Sequence, residues 1–155
     1  MKASIELLGA LQTALTDELT ALDQYAPHRG RAEAWGYGVF VGYIDERIGD
    51  ERKHAEALIR RMYELEGVPN TVARNPVSVA PDLMNGLIND RVAEMGAIAK
   101  YNAAIKIAVE QGDNATRDLL VSILKDEDDH LIDIEKRLVQ IAQTQLPQWL
   151  SLQIG

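Results

Sequence analysis

Hydrophobic residues recur at intervals of three and four along four long stretches of this chain, and the same spacing returns over a shorter stretch near its end. Spacing of this kind places the apolar side chains on one face of an α-helix. The pattern predicts helices over residues 4–34, 39–66, 81–111, 113–143 and 147–154.

Individual residues mark where these helices begin and end. Ser4 and Asp113 are predicted N-caps, because a short polar side chain can accept hydrogen bonds from the free amides of the first turn. Gly67 followed by Pro69 predicts the end of the second helix. Pro81 suits the first turn of the third helix, where no backbone N–H is needed.

The lengths of the connections predict how the helices run. Short turns make the first two helices antiparallel, and the third and fourth likewise. A helix of roughly 30 residues is ~45 Å long, and the 13 residues at positions 68–80 can reach ~43 Å when extended. The second and third helices are therefore predicted to run parallel. The predicted fold is all-α: one domain over residues 1–155, with a four-helix bundle, one long crossover and a short fifth C-terminal helix.

Two Glu-x-x-His motifs lie on the predicted core faces of the second and fourth helices, and one glutamate precedes each motif by 33 residues. The two sets are offset from one another by 76 residues, as are several core positions. Residues three apart on a helix project to the same side, so each Glu and His can bind one metal ion together. The candidate metal ligands are Glu18, Glu51, His54, Glu94, Glu127 and His130.

These residue types favour a site for two metal ions. The four carboxylates carry a charge that two divalent cations neutralise, and oxygen and nitrogen ligands without sulfur suit iron or manganese, with zinc as a competitor. Glu51 and Glu127 are candidates to bridge both ions, whereas Glu18 and Glu94 would each bind one. Six protein ligands over two ions leave open positions for dioxygen or peroxide.

The alternative is a cluster with only a structural role. A lone Glu-x-x-His is common by chance, and a lone buried glutamate usually belongs to an ion pair. Here, however, basic residues on the core faces are scarce, Arg47 and Arg91 being the nearest. Four buried carboxylates without partners are strongly destabilising unless protonated or metal-bound, so the pattern favours metal. His28, the third histidine, lies outside the pattern and is predicted to be structural.

The repeated unit is longer than the ligand motif, because an aspartate precedes each glutamate to give Asp-Glu-x-x-His. We predict that Asp50 reaches His130 across the bundle and that Asp126 reaches His54, each accepting the ring N–H that faces away from the metal. Tyr25 lies seven residues after Glu18 on the same helix face. It is predicted to donate a hydrogen bond or an electron near the site.

Composition excludes several other functions. The absence of cysteine excludes disulfides, iron–sulfur clusters and thiolate zinc sites. A net charge of −8 argues against nucleic acid as a partner. No uncharged stretch is long and apolar enough to span a membrane, and the start of the chain, residues 1–6, carries a charge where a secretory signal needs an apolar run. We therefore expect a cytoplasmic protein with no membrane partner.

At these residues the chain resembles bacterioferritin, the bacterial branch of the ferritin family, over essentially its whole length. The resemblance implies a ferritin-like bundle, a homo-oligomeric cage of twenty-four subunits and a ferroxidase centre with two iron ions in each subunit. It also implies oxidation of Fe(II) by dioxygen or hydrogen peroxide, with Tyr25 and the six ligands as catalytic residues, and storage of ferric mineral. The similar residues are 18–21, Tyr25, 50–56, 65–70, 117–118 and 126–130.

Two positions depart from that family. Arg52 occupies the position of the methionine that binds haem at a twofold interface, and a guanidinium cannot replace a thioether ligand. Haem is therefore not expected from this subunit alone, although a mixed cage with a haem-binding paralogue stays open. Glu46 replaces a histidine that, in some members, joins Asp50 in binding iron on the inner surface.

Two other functions remain as alternatives. The first is a di-iron oxidase or peroxide reductase without storage, similar to rubrerythrin, although the cysteines of a rubredoxin site are missing. The second is a structural cage subunit whose metal only stabilises the fold. DNA-binding mini-ferritins are disfavoured, because their ligands straddle a dimer interface.

Overall fold

The computed structural model describes residues 3–155, so Met1 and Lys2 of the predicted domain lie outside the described residues. Four long helices and one short helix form the described chain, which contains no strand, and the predicted all-α bundle is confirmed. The helices are α1 (Ile5–Ala34), α2 (Gly38–Glu64), α3 (Leu83–Glu110), α4 (Asn114–Thr144) and α5 (Leu146–Ser151).

The helix N-termini follow the predicted caps in two cases and differ in a third. Ser4 accepts a hydrogen bond from the first turn of α1, and Asp113 does the same for α4. At α3 the cap is Asp82, whose carboxylate accepts the backbone N–H of Asn85 at 2.8 Å. The prediction that Pro81 lies inside the first turn was therefore wrong, because the capping carboxylate one residue later sets the start of the helix.

The crossover lies against α1 and runs in the same direction. Near its start, the backbone N–H of Asn70 donates to Gln12 at 2.7 Å. Near its end, the N–H of Ala80 donates to Nε2 of His28 at 3.1 Å. The crossover thus returns the chain to the far end of the bundle, and α3 runs parallel to α2. His28 has the predicted structural role, because its other nitrogen lies 3.2 Å from the buried carboxylate of Asp90.

The core consists of two apolar clusters, one towards each end of the bundle. One contains Leu15 of α1 and Leu58 of α2, and the other contains Tyr25 of α1 and Ile44 of α2. On each of the four long helices the candidate ligands fall between the residues of these two clusters. The bundle therefore encloses a polar middle layer between two apolar ends.

The fifth helix is shorter than predicted. It ends at Ser151 rather than near Ile154. Trp149 is only 1% exposed and packs edge-on against Phe40, with ring centroids 5.8 Å apart. Trp149 therefore belongs to the core of the subunit, whereas Leu152 and Ile154 remain exposed.

Four helices are followed at the C-terminus by a residue with a positive φ. These residues are Gly36 after α1 (φ 80°), Glu66 after α2 (φ 60°), Gly112 after α3 (φ 69°) and Gln145 after α4 (φ 70°). Glycine adopts this conformation without strain, whereas a side chain does not. The predicted stop at Gly67 is thus displaced by one residue. Gly67 instead allows a close approach of α1, since a Cβ there would lie 2.5 Å from Leu8.

Replacing Glu66 with glycine is expected to stabilise the fold. The substitution removes a left-handed side-chain conformation that costs ~1 kcal/mol, which corresponds to a rise in Tm of ~2–4 °C for a chain of this size. Thermal unfolding of the metal-free protein, followed by circular dichroism, measures the effect. Glu56→Gly is the control, because Glu56 is an exposed residue inside α2, where glycine costs ~1 kcal/mol. Equal destabilisation by both changes would contradict the prediction.

Candidate metal centre

The structure brings the six candidate ligands together in the middle layer of the bundle, and each is at most 4% exposed. They form two overlapping groups, within each of which the ligand atoms all lie within 4.8 Å of one another. Glu51 and Glu127 belong to both groups. The first group is completed by Glu18 and His54, and the second by Glu94 and His130.

The local reason for this arrangement is helical spacing. In α2 and in α4 a glutamate and a histidine three residues apart project to the same side and enter the bundle together. α1 and α3 each contribute one further glutamate between their two apolar clusters. Because the second half of the chain repeats the first, the two groups are related by a pseudo-twofold axis.

Each shared glutamate directs one oxygen towards each histidine. Oε1 of Glu127 lies 2.8 Å from Nδ1 of His54, and Oε2 lies 3.7 Å from Nδ1 of His130. Glu51 has the reverse arrangement, with Oε2 3.4 Å from His54 and Oε1 3.4 Å from His130. Both carboxylates are therefore placed to bridge two ions, one beside each imidazole.

The inward atoms of the site do not satisfy one another by hydrogen bonds. Both oxygens of Glu51, Oε1 of Glu127 and Nδ1 of both histidines are buried, with no partner in hydrogen-bond geometry. Buried polar atoms without partners are costly and rare in folded proteins. Because the atoms converge on common space, the donor set fits a pair of divalent cations better than a network of side-chain hydrogen bonds.

The outward nitrogen of each histidine faces an aspartate from the opposite helix pair. Nε2 of His54 lies 3.1 Å from Asp126, and Nε2 of His130 lies 3.4 Å from Asp50. A ring that binds metal through Nδ1 carries its proton on Nε2, where these carboxylates can accept it. That they fix the tautomer in this way stays a prediction.

A buried tyrosine contacts each of the two outer glutamates. Tyr25 of α1 donates its hydroxyl hydrogen to Oε1 of Glu94 on α3 at 2.8 Å. Tyr101 of α3 donates to Oε1 of Glu18 on α1. Sequence reasoning missed Tyr101 as a site residue. The 76-residue repeat that relates the two tyrosines was the signal that could have found it.

The four carboxyl groups differ in their affinity for protons. Burial raises the pKa of Glu18 well above its usual value and raises the pKa of Glu94 to about 7. Burial also acts to raise the pKa values of Glu51 and Glu127, but the neighbouring histidines outweigh it and lower both. Without metal, the two shared glutamates therefore lose their protons more readily than the two outer glutamates do.

The histidines respond in the opposite sense. Burial disfavours the protonated imidazole, but the surrounding carboxylates, Glu127 foremost, raise the pKa of His130 to about 12 and raise the pKa of His54 further still. The metal-free site thus contains two imidazolium ions opposite two carboxylates, and it is close to neutral. Binding of two divalent cations would keep the site neutral only if protons leave.

Lysine and arginine side chains do not balance the buried negative charge of the site. Among residues 3–155, no lysine or arginine nitrogen lies within 4 Å of the six candidate ligands. Arg91 pairs instead with Glu135 at 2.8 Å, and Arg47 lies 3.8 Å from Glu46 near the surface. The buried negative charge is therefore balanced by the histidines, by protons or by bound metal.

A cavity of about 240 Å³ leads from the site towards the surface between α1 and α3. Its inner wall includes all four candidate glutamates together with Tyr25. Its outer wall includes the exposed residues Asn75, Pro76 and Lys100. Small ions and molecules therefore have a route to the buried atoms that does not require the bundle to open.

Fold and site together define a helical-bundle protein with an internal cluster of carboxylates and imidazoles. A family model described as a ferritin-like domain matches residues 8–144. The chain is 34% identical to a bacterial ferritin from Synechocystis over the whole of both chains, and 32% identical to one from Pseudomonas aeruginosa over 99% of this chain and 100% of that one. The chain belongs to the ferritin family.

A solved structure shows the same fold. Bacterioferritin from Rhodobacter capsulatus superposes with a TM-score of 0.97 at 27% identity, covering 100% of this chain and 97% of that one. That structure is described as having a metal-free dinuclear site and haem iron. Within residues 3–155 no helix combines the length and the apolar character that crossing a bilayer requires.

Proposed function

We propose that this protein oxidises Fe(II) at a two-iron centre inside each subunit and stores the ferric product in a cage of twenty-four subunits. Membership of the ferritin family supports iron storage in general terms. The two iron ions, the ferroxidase activity and the cage are the proposal. Dioxygen or hydrogen peroxide would act as the oxidant.

The observation that carries the proposal is the set of buried, inward-facing ligand atoms that lack hydrogen-bond partners. They form two groups, and the same two glutamates serve both. A site with a structural role alone would place lysine or arginine side chains against these carboxylates, and among the described residues none lies within 4 Å of them. Here the two groups fit two ions side by side, which suits a reaction that takes one electron from each.

The chain's own residues would bind the substrate and accept or release protons. Glu18 with His54, and Glu94 with His130, would each bind one Fe(II), while Glu51 and Glu127 bridge the pair. Two Fe(II) supply two electrons, which reduce dioxygen with two protons to hydrogen peroxide, or hydrogen peroxide with two protons to water. The protons displaced from the imidazoles and outer carboxyls are available for this reduction.

Membership of the ferritin family also supports the proposed partner subunits. We propose a homo-oligomer, or a mixed cage with a haem-binding paralogue, in the cytoplasm. Arg52 is exposed on α2 at the position where the family's methionine binds haem. A guanidinium is not a haem ligand, so haem bound in that mode is not part of the proposed function.

The proposal is tested by adding Fe(II) to metal-free protein without oxygen, admitting air and following the ferric absorbance. Storage predicts soluble ferric product far beyond two iron ions per chain, and sedimentation should show a large cage. Saturation near two ions per chain would instead indicate an oxidase similar to rubrerythrin. A rate equal to that of a protein-free control would leave only a structural role.

A further inference from the structure

The two tyrosine contacts form a crossed pair. Tyr25 reaches from α1 to Glu94 on α3, and Tyr101 reaches from α3 to Glu18 on α1. Both phenols are buried, Tyr25 at 2% and Tyr101 at 0% exposure. Each outer glutamate of the site is thus fixed by a phenol from the neighbouring helix, and the two halves of the chain contribute equally.

Tyr101 differs from Tyr25 in its surroundings. Tyr25 lines the cavity that leads to the site, whereas Tyr101 is packed in the apolar cluster that contains Leu11 and Leu58. Among the described residues the hydroxyl of Tyr101 has Glu18 as its only hydrogen-bond partner. A phenol so enclosed needs a partner for its hydroxyl, so Glu18 and Tyr101 constrain each other.

Each tyrosine binds one oxygen of its glutamate and leaves the other oxygen free. With Oε1 of Glu18 bound by the phenol, Oε2 is the atom that lies 3.5 Å from Nδ1 of His54. With Oε1 of Glu94 bound by Tyr25, Oε2 is buried and without a partner. Each outer carboxylate therefore presents one oxygen that no tyrosine holds.

We propose that Tyr101 is a positioning residue for the Glu18–His54 half of the site, where it fixes Glu18 so that one oxygen faces the metal. Tyr25 likewise holds Glu94, although there the oxygen it binds is the one that lies 3.7 Å from Nδ1 of His130. A carboxylate held in this way offers the metal ion one oxygen, whereas a freely rotating carboxylate can offer both. The held arrangement therefore leaves more coordination positions of each ion open to the oxidant. This inference rests on the proposed two-metal site.

The test is Tyr101→Phe, which keeps the ring in the core and removes only the hydroxyl. Co(II) is added without oxygen to metal-free protein, and binding is measured by calorimetry and by the visible absorption of the bound ion. The variant should bind one of its two Co(II) ions ~10–100-fold more weakly, as loss of an outer hydrogen-bond partner typically does. The absorption of that ion alone should change, while the other ion binds as before.

Three further variants separate this effect from general damage. Tyr25→Phe should weaken the binding of the other ion, so the double variant should weaken both. Tyr43→Phe is the matched control, because Tyr43 is 5% exposed and its hydroxyl bonds no protein group. Its Co(II) binding should equal that of the wild type. Circular dichroism must show unchanged helix content in all three.

The outcomes distinguish the inference from the function on which it rests. Wild-type binding of both ions by Tyr101→Phe would overturn the positioning role and leave the proposed function intact. Binding of two Co(II) ions by the wild type without any Fe(II) oxidation would overturn the ferroxidase, while the positioning role could still be confirmed. Absence of Co(II) binding by the folded wild-type protein would overturn both.

Discussion

Replacement of Glu127 by glutamine is expected to weaken the binding of both metal ions and to lower Fe(II) oxidation by more than ~100-fold. Its two oxygens face the two histidines separately, at 2.8 Å and 3.7 Å, so loss of the charge affects both halves of the site. Removal of a residue that only supports a ligand typically lowers metal affinity or activity ~10–100-fold. Removal of a ligand shared by both ions should lower them by more. The side-chain volume is kept, so the bundle should still fold.

Two comparisons make this expectation specific. Asp128→Asn is the control, because Asp128 is exposed, adjacent in α4 and changes the net charge equally. Its oxidation rate should match that of the wild type. Glu18→Gln should weaken the binding of only one ion, since Glu18 belongs to one ligand group. Anaerobic Co(II) titration and oxygen-dependent ferric absorbance give the two measurements. Binding of two ions by Glu127→Gln at wild-type affinity would contradict the bridging role.

The sequence predicted the fold because local and long-range signals agreed. Apolar spacing gave the four long helices, and the length of the crossover gave their directions. The repeated Glu-x-x-His spacing grouped six residues that do lie together in the structure. Their binding of iron stays a prediction, because helical spacing determines where side chains lie and not which ion they bind.

Other features depended on contacts that no periodic pattern contains. The start of α3 is set by the carboxylate of Asp82, and Trp149 is buried because α5 folds back against Phe40. Tyr101 lies on a core face where an aromatic residue is ordinarily a packing residue. Its contact with a buried glutamate 83 positions away in sequence shows the polar role, which the sequence indicates only through the 76-residue repeat of Tyr25.

Metal binding is expected to release more than two protons at pH 7, so the affinity for divalent cations should rise steeply with pH. Two protons come from His54 and His130, whose pKa values are raised by the carboxylates around them. Glu94, with a pKa of about 7, supplies roughly half of one more, and Glu18, whose pKa burial also raises, adds to the number. These groups interact closely, so the count belongs to the site as a unit.

Metal affinity rises with pH because protons and metal ions compete for the same ligand atoms. Metal requires neutral imidazoles and ionised carboxylates, whereas in the metal-free protein raised pKa values favour protons on the two histidines and the two outer glutamates. Raising the pH therefore favours metal, and the protons released per pair of ions should fall by nearly one between about pH 6 and 8 as Glu94 ionises. Anaerobic Co(II) calorimetry in buffers of different ionisation enthalpy gives this number at each pH.

Glu94→Gln separates the contribution of one carboxyl from the rest. At saturating Co(II) this variant should still release the protons of both histidines, but the change in proton count between about pH 6 and 8 should disappear. Metal uptake with no proton release would show that the imidazoles are already neutral in the metal-free protein. In that case Glu51 and Glu127 would face no positive charge before metal binds, and the electrostatic account of the site would be wrong.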